Sequence, residues 1–178
     1  MTSSDPLLFD ASPLLHSAKA DRLDVLGNLV RGSVSVTTRA VVEEVARNDA
    51  AAAAAVRAAG WMSVVDCDTL PMLAAFSRWG RRMGLSDDHN IGETTLCAYA
   101  ECHGGTLVMD DRYARRVAES HGLAVRGTAG LVADACRRGD CTVANASVLL
   151  DALRETGMRL PFPRGGFEPW ARDEKLID

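Results

Sequence analysis

Short apolar segments alternate with helical segments along most of this chain, and this alternation limits the fold more than any other feature of the sequence. Five segments have the length and apolar content of buried strands, near residues 7–9, 33–37, 61–65, 106–109 and 123–125. Strands that alternate with helices form a parallel sheet covered on both faces. The predicted fold class is therefore α/β, a three-layer α/β/α sandwich with a central parallel sheet of about five strands.

The length and composition predict one domain followed by a short tail. A chain of 178 residues, 47% of them apolar, can bury a useful core without disulfides. Residues 1–160 are expected to form the domain. Residues 161–178, rich in Pro, Gly and Arg, are expected to form a loosely ordered tail. No apolar run reaches the roughly 18 residues of a membrane-spanning helix, and a secretory signal is lacking, so we expect a cytoplasmic protein without membrane contact.

Acidic side chains follow the predicted strands or lie on the helices beside them. In parallel sheets, ligands bind beyond the carboxyl ends of the strands. The acids near that edge are Asp10, Glu43, Glu44, Glu93, Asp110 and Asp111. Massed carboxylates repel one another unless a cation neutralises them. Oxygen ligands select hard ions such as Mg²⁺ or Mn²⁺, which can assist the cleavage of a phosphodiester bond.

Each acid also has a simpler structural interpretation. Asp111 could cap the helix that follows it. Glu93 lies three residues after Asn90, as in a capping box. Glu43 could pair with Arg47 on one helix face. The pattern as a whole nevertheless favours a shared site over separate structural roles.

Asp10 is the hardest of these acids to explain as a helix cap. Ser12 is predicted to be the N-cap of the first helix, with Pro13 at the first helical position. Asp10 would then lie before the helix, at the end of the first strand.

Six segments together resemble the PIN-domain nucleases in their order and spacing. They are residues 7–14, 41–45, 92–95, 107–118, 127–131 and 149–153. The first resembles that family's opening strand with its aspartate, and residues 92–95 resemble the Gly-Glu-Ala-Glu box of one subgroup. The resemblance covers roughly residues 5–160.

The resemblance implies a PIN-like sandwich and an endoribonuclease site that uses Mg²⁺ or Mn²⁺. It also implies a toxin of a toxin–antitoxin pair, with a small antitoxin protein as partner and a homodimer as the assembly. Carried over by position, the catalytic metal ligands would be Asp10, Glu44, Glu93 and Asp111. Asp110 would be an additional ligand or support the others, and Ser12 would orient a ligand or a bound water.

Two positions depart from the family pattern or are not decided by it. Thr95 replaces the second glutamate of the box, which leaves fewer ligands for a second metal ion. Glu43 and Glu44 both flank the apolar face of their helix, so the choice of Glu44 as ligand and Glu43 as its neighbour depends on the family pattern alone.

Three arginines follow the last acidic motif and are candidates for substrate binding. Arg112, Arg115 and Arg116 could bind phosphates of RNA through paired hydrogen bonds. They could equally form a solvated helix face paired with acids such as Glu119.

Other functions fit the sequence less well. A phosphoaspartate enzyme would need a lysine late in the chain, where only Lys175 occurs. A dinucleotide-binding fold would need a glycine-rich turn after the first strand, which is absent. A non-catalytic PIN-fold module that binds RNA or protein is the main alternative, and Thr95 and the net charge of −4 favour it.

Overall fold

The computed structural model describes residues 5–86 and 89–178. Five strands form one sheet: β1 (Leu7–Phe9), β2 (Ser35–Thr38), β3 (Met62–Val65), β4 (Thr106–Val108) and β5 (Ala124–Arg126). The helices before β4 are α1 (Ala11–Lys19), α2 (Leu23–Leu29), α3 (Arg39–Asn48), α4 (Ala50–Ala58), α5 (Leu70–Met83) and α6 (Ile91–His103). Those after β4 are α7 (Arg112–Ser120), α8 (Thr128–Arg138), α9 (Val143–Glu155) and α10 (Phe167–Asp173). In these ranges no helix is long and apolar enough to span a membrane.

The sheet is entirely parallel, in the order β3-β2-β1-β4-β5. β1 lies at its centre, and Leu7 is paired with Ser35 of β2 on one side and with Thr106 of β4 on the other. The chain therefore moves outward from β1 in one direction and later returns to its other side. Such a reversal of strand order places a crevice beyond the carboxyl ends of β1 and β4. The predicted α/β sandwich is confirmed.

The packing of the core explains why strands of only three residues are enough to fix the centre of the sheet. The side chains of Leu8 and Phe9 are completely buried, as are those of Leu107 and Val108 in the neighbouring strand. Strands covered on both faces carry nearly continuous apolar runs, and these four residues follow that rule. The two central strands are thereby fixed, and with them the positions of the residues that directly follow.

The start of α1 differs from the expectation, and α4 begins as a separate helix. α1 begins at Ala11, so Asp10 and not Ser12 occupies its N-cap position, and the prediction that Ser12 is the cap is wrong. The extended backbone of Asp10 continues the strand directly into the helix. α4 is separate from α3 because Asp49 is extended and its carboxylate accepts a hydrogen bond from Ala52 N.

The C-terminal residues are folded, which corrects the expectation of a loosely ordered tail at 161–178. α10 lies within this segment, and Phe162, Phe167 and Ala171 are buried. They pack in a second apolar cluster with residues of α8 and α9 such as Leu150. The Pro- and Gly-rich composition concealed these widely spaced apolar side chains, which fix the segment to the domain.

Candidate metal and substrate site

A cavity of about 660 Å³ lies at the carboxyl ends of β1 and β4. Its acidic lining consists of Asp10, Glu44, Glu93, Asp110 and Asp111. Its other polar or basic residues are Ser12, Arg112, Arg115 and Arg159, and Gly157, Leu160 and Pro161 complete the wall. Five carboxylates from four separate parts of the sequence therefore share one cavity, beyond the strand ends where the sequence indicated them.

Asp10 is the least compensated of these acids. It is only 4% exposed, and its Oδ1 has no hydrogen-bond partner. Although Asp10 occupies the N-cap position of α1, its side chain makes no capping hydrogen bond. Burial, followed by the negative charges of Glu93 and Glu44, raises the pKa of Asp10 well above its ordinary value. An unpaired buried carboxylate is costly, so its role in folding alone does not explain it.

Glu44 reaches the cavity from α3 because Gly92 leaves room for it. A Cβ atom at Gly92 would lie 2.7 Å from Glu44 Oε2 and 3.7 Å from Asp10 Oδ1. The start of α6 therefore approaches both carboxylates closely, which a larger residue would prevent. Burial and the charge of Glu93 raise the pKa of Glu44. Glu43 is exposed and does not line the cavity, so the structure distinguishes the two neighbours.

Glu93 lies in the first turn of α6 and faces the same cavity. The side-chain hydrogen bond from Asn90 that a capping box requires does not form, because Asn90 Nδ2 instead donates to Met83 O. Burial, followed by the charge of Asp111, raises the pKa of Glu93. Its carboxylate is thus available to the cavity.

Asp110 and Asp111 are held by hydrogen bonds from neighbouring helices. The carboxylate of Asp110 accepts from Thr128 N at 2.8 Å and from Thr128 Oγ1 at 2.7 Å. Burial raises the pKa of Asp110, and these hydrogen bonds oppose the rise. Asp111 Oδ1 accepts from Tyr113 N and Ala114 N, as the helix-cap interpretation predicted. Both side chains thus line the cavity while they accept hydrogen bonds from the helices that follow them.

Three threonine hydroxyls connect the elements that carry the acids. Thr37 Oγ1 donates to Phe9 O at 2.8 Å, directly before Asp10. Thr38 Oγ1 lies 2.8 Å from Thr95 Oγ1, and Thr95 also donates to Gly92 O. Thr95 does not line the cavity but joins the start of α6 to the end of β2. Thr37 and Thr38 were not among the residues predicted for the site, although a pair of hydroxyl residues at the end of a buried strand is a recognisable signal.

The three predicted substrate arginines have different positions. Arg112 and Arg115 line the cavity, but Arg116 does not, and its Nε donates to Arg112 O. Consecutive helical residues point about 100° apart, so Arg115 and Arg116 face different directions. The inclusion of Arg116 in the substrate site therefore has no support from its position.

The donor atoms of the cavity suit a hard divalent cation, but their present arrangement does not. Within residues 5–86 and 89–178, no three His, Cys, Asp or Glu side chains are arranged to hold a metal ion. The available donors are nonetheless all carboxylate oxygens, one of them buried without a partner. Such donors suit Mg²⁺ or Mn²⁺. To share an ion, these side chains would have to rotate within the cavity.

One comparison with known proteins gives a match. A protein-family model described as DUF3368, a PIN domain, matches residues 6–163. No curated protein matches the chain significantly, and no solved structure does. The matched range includes every acid of the cavity and also Gly157, Arg159, Leu160 and Pro161 of its lining.

Proposed function

Since this chain belongs to the PIN-domain family, whose fold is of the nuclease type, we propose that it is a metal-dependent endoribonuclease. The observation that carries the proposal is Asp10 Oδ1, which is buried without a partner beside Glu44 and Glu93. Buried acids whose negative charges make one another harder to ionise in a shared cavity are typical of a site built for a cation. The substrate would be RNA and the reaction hydrolysis of a phosphodiester bond.

The ligands of Mg²⁺ or Mn²⁺ would be Asp10, Glu44, Glu93 and Asp111, with Asp110 as an additional ligand or as support. When bound, such an ion supplies a Lewis acid for the phosphate and positive charge that offsets the carboxylates. Asp111 could serve as a ligand through Oδ2, because its Oδ1 is engaged by two backbone amides.

The protein's own residues would orient the substrate. Arg112 and Arg115 line the cavity three residues apart on α7, where their guanidinium groups could bind neighbouring phosphate oxygens. Ser12, one residue into α1 from its start, could orient a carboxylate or a water molecule. The network of Thr37, Thr38 and Thr95 would keep the acid-bearing elements in register.

The neighbouring glutamates of α3 provide a matched test. We expect Glu44→Gln to reduce Mn²⁺-dependent cleavage of labelled RNA by about 10- to 100-fold, the range seen when a metal environment is perturbed. Glu43→Gln removes the same charge from an exposed position outside the cavity and should leave cleavage unchanged. Equal rates for both variants, or cleavage by wild type that persists in EDTA, would contradict the proposed site.

A non-catalytic module that binds RNA or protein is a second candidate. The observation that favours it is the lack of three potential ligands arranged for a metal ion in the described part of the chain. The engagement of Asp110 by Thr128 points the same way. RNA binding without cleavage in Mg²⁺ or Mn²⁺ would favour this candidate over the nuclease.

The toxin role, the antitoxin partner and the homodimer are proposals that rest on the family resemblance. If the chain is a toxin, its expression alone should arrest growth, and Asp111→Asn should relieve the arrest. Asp49→Asn is the matched control, because Asp49 also caps a helix but lies outside the cavity. Relief by both variants would indicate loss of folding, not loss of a site.

A further inference from the structure

The cavity has a wall that the acidic motifs do not predict. Gly157, Arg159, Leu160 and Pro161 follow α9 and line the cavity together with the carboxylates. We name residues 157–161 the C-terminal wall. Arg159 is its only charged residue, and it adds a third arginine to a cavity that already contains Arg112 and Arg115.

The wall is fixed on both sides of Arg159. Met158 and Phe162 are buried in the second apolar cluster. Just before the wall, Thr156 Oγ1 is hydrogen-bonded to His16 Nδ1 at 2.8 Å, and His16 lies one turn after Ser12 on α1. Just after it, Arg154 donates to Phe162 O. The backbone of Arg159 is thus held in place while its side chain remains exposed to the cavity.

The guanidinium of Arg159 has no partner within the described residues. It forms no salt bridge and no hydrogen bond there, although carboxylates line the same cavity. Arg164, five residues later, is paired with Glu155 at 3.0 Å. An unpaired arginine on a fixed backbone beside an acidic cluster is placed to attract a polyanion that the carboxylates would otherwise repel.

We infer that Arg159 on the C-terminal wall binds a backbone phosphate of the RNA substrate and orients the strand over the carboxylates. This inference rests on the proposed nuclease function. It extends the binding surface from α7 across the cavity to the segment after α9, so that the strand would pass between arginines on two sides. Phosphate contacts position a nucleic acid without reading its sequence, so Arg159 is expected to act on all RNA sequences alike.

The test compares Arg159→Gln with Arg164→Gln, a substitution of the same type in the same segment but outside the cavity. Binding of a fluorescein-labelled single-stranded RNA is measured by anisotropy, with Ca²⁺ in place of Mg²⁺, over a series of salt concentrations. We expect Arg159→Gln to weaken binding about fivefold to twentyfold. The plot of log affinity against log salt should become shallower by about 0.7, the value for one phosphate contact with a single strand. Arg159→Lys should retain part of the affinity, and Arg164→Gln should match wild type.

Kinetic measurements in Mn²⁺ separate substrate positioning from metal binding. We expect Arg159→Gln to raise KM with little change in kcat, and to leave the Mn²⁺-induced rise in Tm intact. If wild type cleaves RNA but Arg159→Gln and Arg164→Gln bind it equally well, the role of Arg159 is overturned and the nuclease proposal stands. If wild type neither binds nor cleaves RNA, both are overturned.

Discussion

Two regions of this molecule each bury an aspartate, but only one of them balances its negative charge with basic side chains. In the parts of the chain that the structure describes, Asp10 at 4% exposure and Asp134 at 6% are the two acids that are almost fully buried. Asp134 on α8 forms salt bridges with Arg126 and Arg137. Asp10 Oδ1 has no partner, and its nearest charged neighbours are other acids.

The charges around a buried acid distinguish a structural acid from a functional one. A buried charge is tolerated when a partner of opposite sign is built into the fold, as at Asp134. At Asp10 the fold supplies Glu44 and Glu93 instead, which makes ionisation harder and leaves the charge to be balanced from outside the chain. Burial alone is therefore uninformative, and the sign of the neighbouring charges carries the distinction.

Asp10→Asn should reduce activity more strongly than any other substitution considered for the two aspartates. We expect cleavage of RNA to fall at least about 1,000-fold, roughly 4 kcal/mol of transition-state stabilisation, because a ligand that no neighbour replaces is lost. The rate is measured with labelled RNA in Mn²⁺ under single-turnover conditions. Asp134→Asn removes the same charge from an equally buried position and should cleave as wild type does. Cleavage by Asp10→Asn within tenfold of wild type would show that Asp10 is not an essential metal ligand.

Asp10→Asn should also stabilise the fold. The raised pKa of Asp10 means that its neutral form is preferred in the folded state, so its contribution to stability is present below the ordinary pKa and is lost as pH rises through the raised one. At neutral pH an amide removes this penalty. We expect the free energy of unfolding to rise by roughly 1 kcal/mol, or Tm by about 2–4 °C. A lower Tm would show that the carboxylate stabilises the fold.

The two aspartates should also differ in their effect on metal binding. A cation that binds only the folded protein stabilises it by about 2.7 kcal/mol at 100 times its Kd. We therefore expect Mn²⁺ to raise the Tm of wild type by about 5–10 °C. The rise should largely disappear in Asp10→Asn and persist in Asp134→Asn. An equal rise in all three proteins would place the bound Mn²⁺ elsewhere.

Much of this fold was predictable because its signals are local. The alternation of buried strands and helices requires no knowledge of distant contacts, and the acids that follow β1 and β4 share an edge once the sheet is parallel. The choice of Glu44 over Glu43 is not local in this sense, because both flank the apolar face of α3 and only the structure shows that Glu44 lines the cavity.

The remaining features depend on contacts that spacing does not record. Ser12 satisfies every local rule for a helix cap, yet the helix begins before it because Asp10 continues the strand into Ala11. The C-terminal segment resembles a tail in composition, but Phe162 and Phe167 bind it to α8 and α9. Arg159 lines the cavity only because that packing returns the chain to α1. Long-range burial decides these positions.

Asp134→Asn should also change the stability of the fold, by about as little as Asp10→Asn does. The substitution leaves Arg126 and Arg137 facing a neutral amide. Their side chains are 40% and 58% exposed, so water screens much of the unbalanced charge. We expect the free energy of unfolding to fall by roughly 1–2 kcal/mol, measured by urea denaturation, with no loss of cleavage per folded molecule. The direction is opposite to that for Asp10→Asn. If both variants were destabilised to the same degree, both aspartates would be structural acids. The clustering of carboxylates in the cavity would then need an explanation other than cation binding.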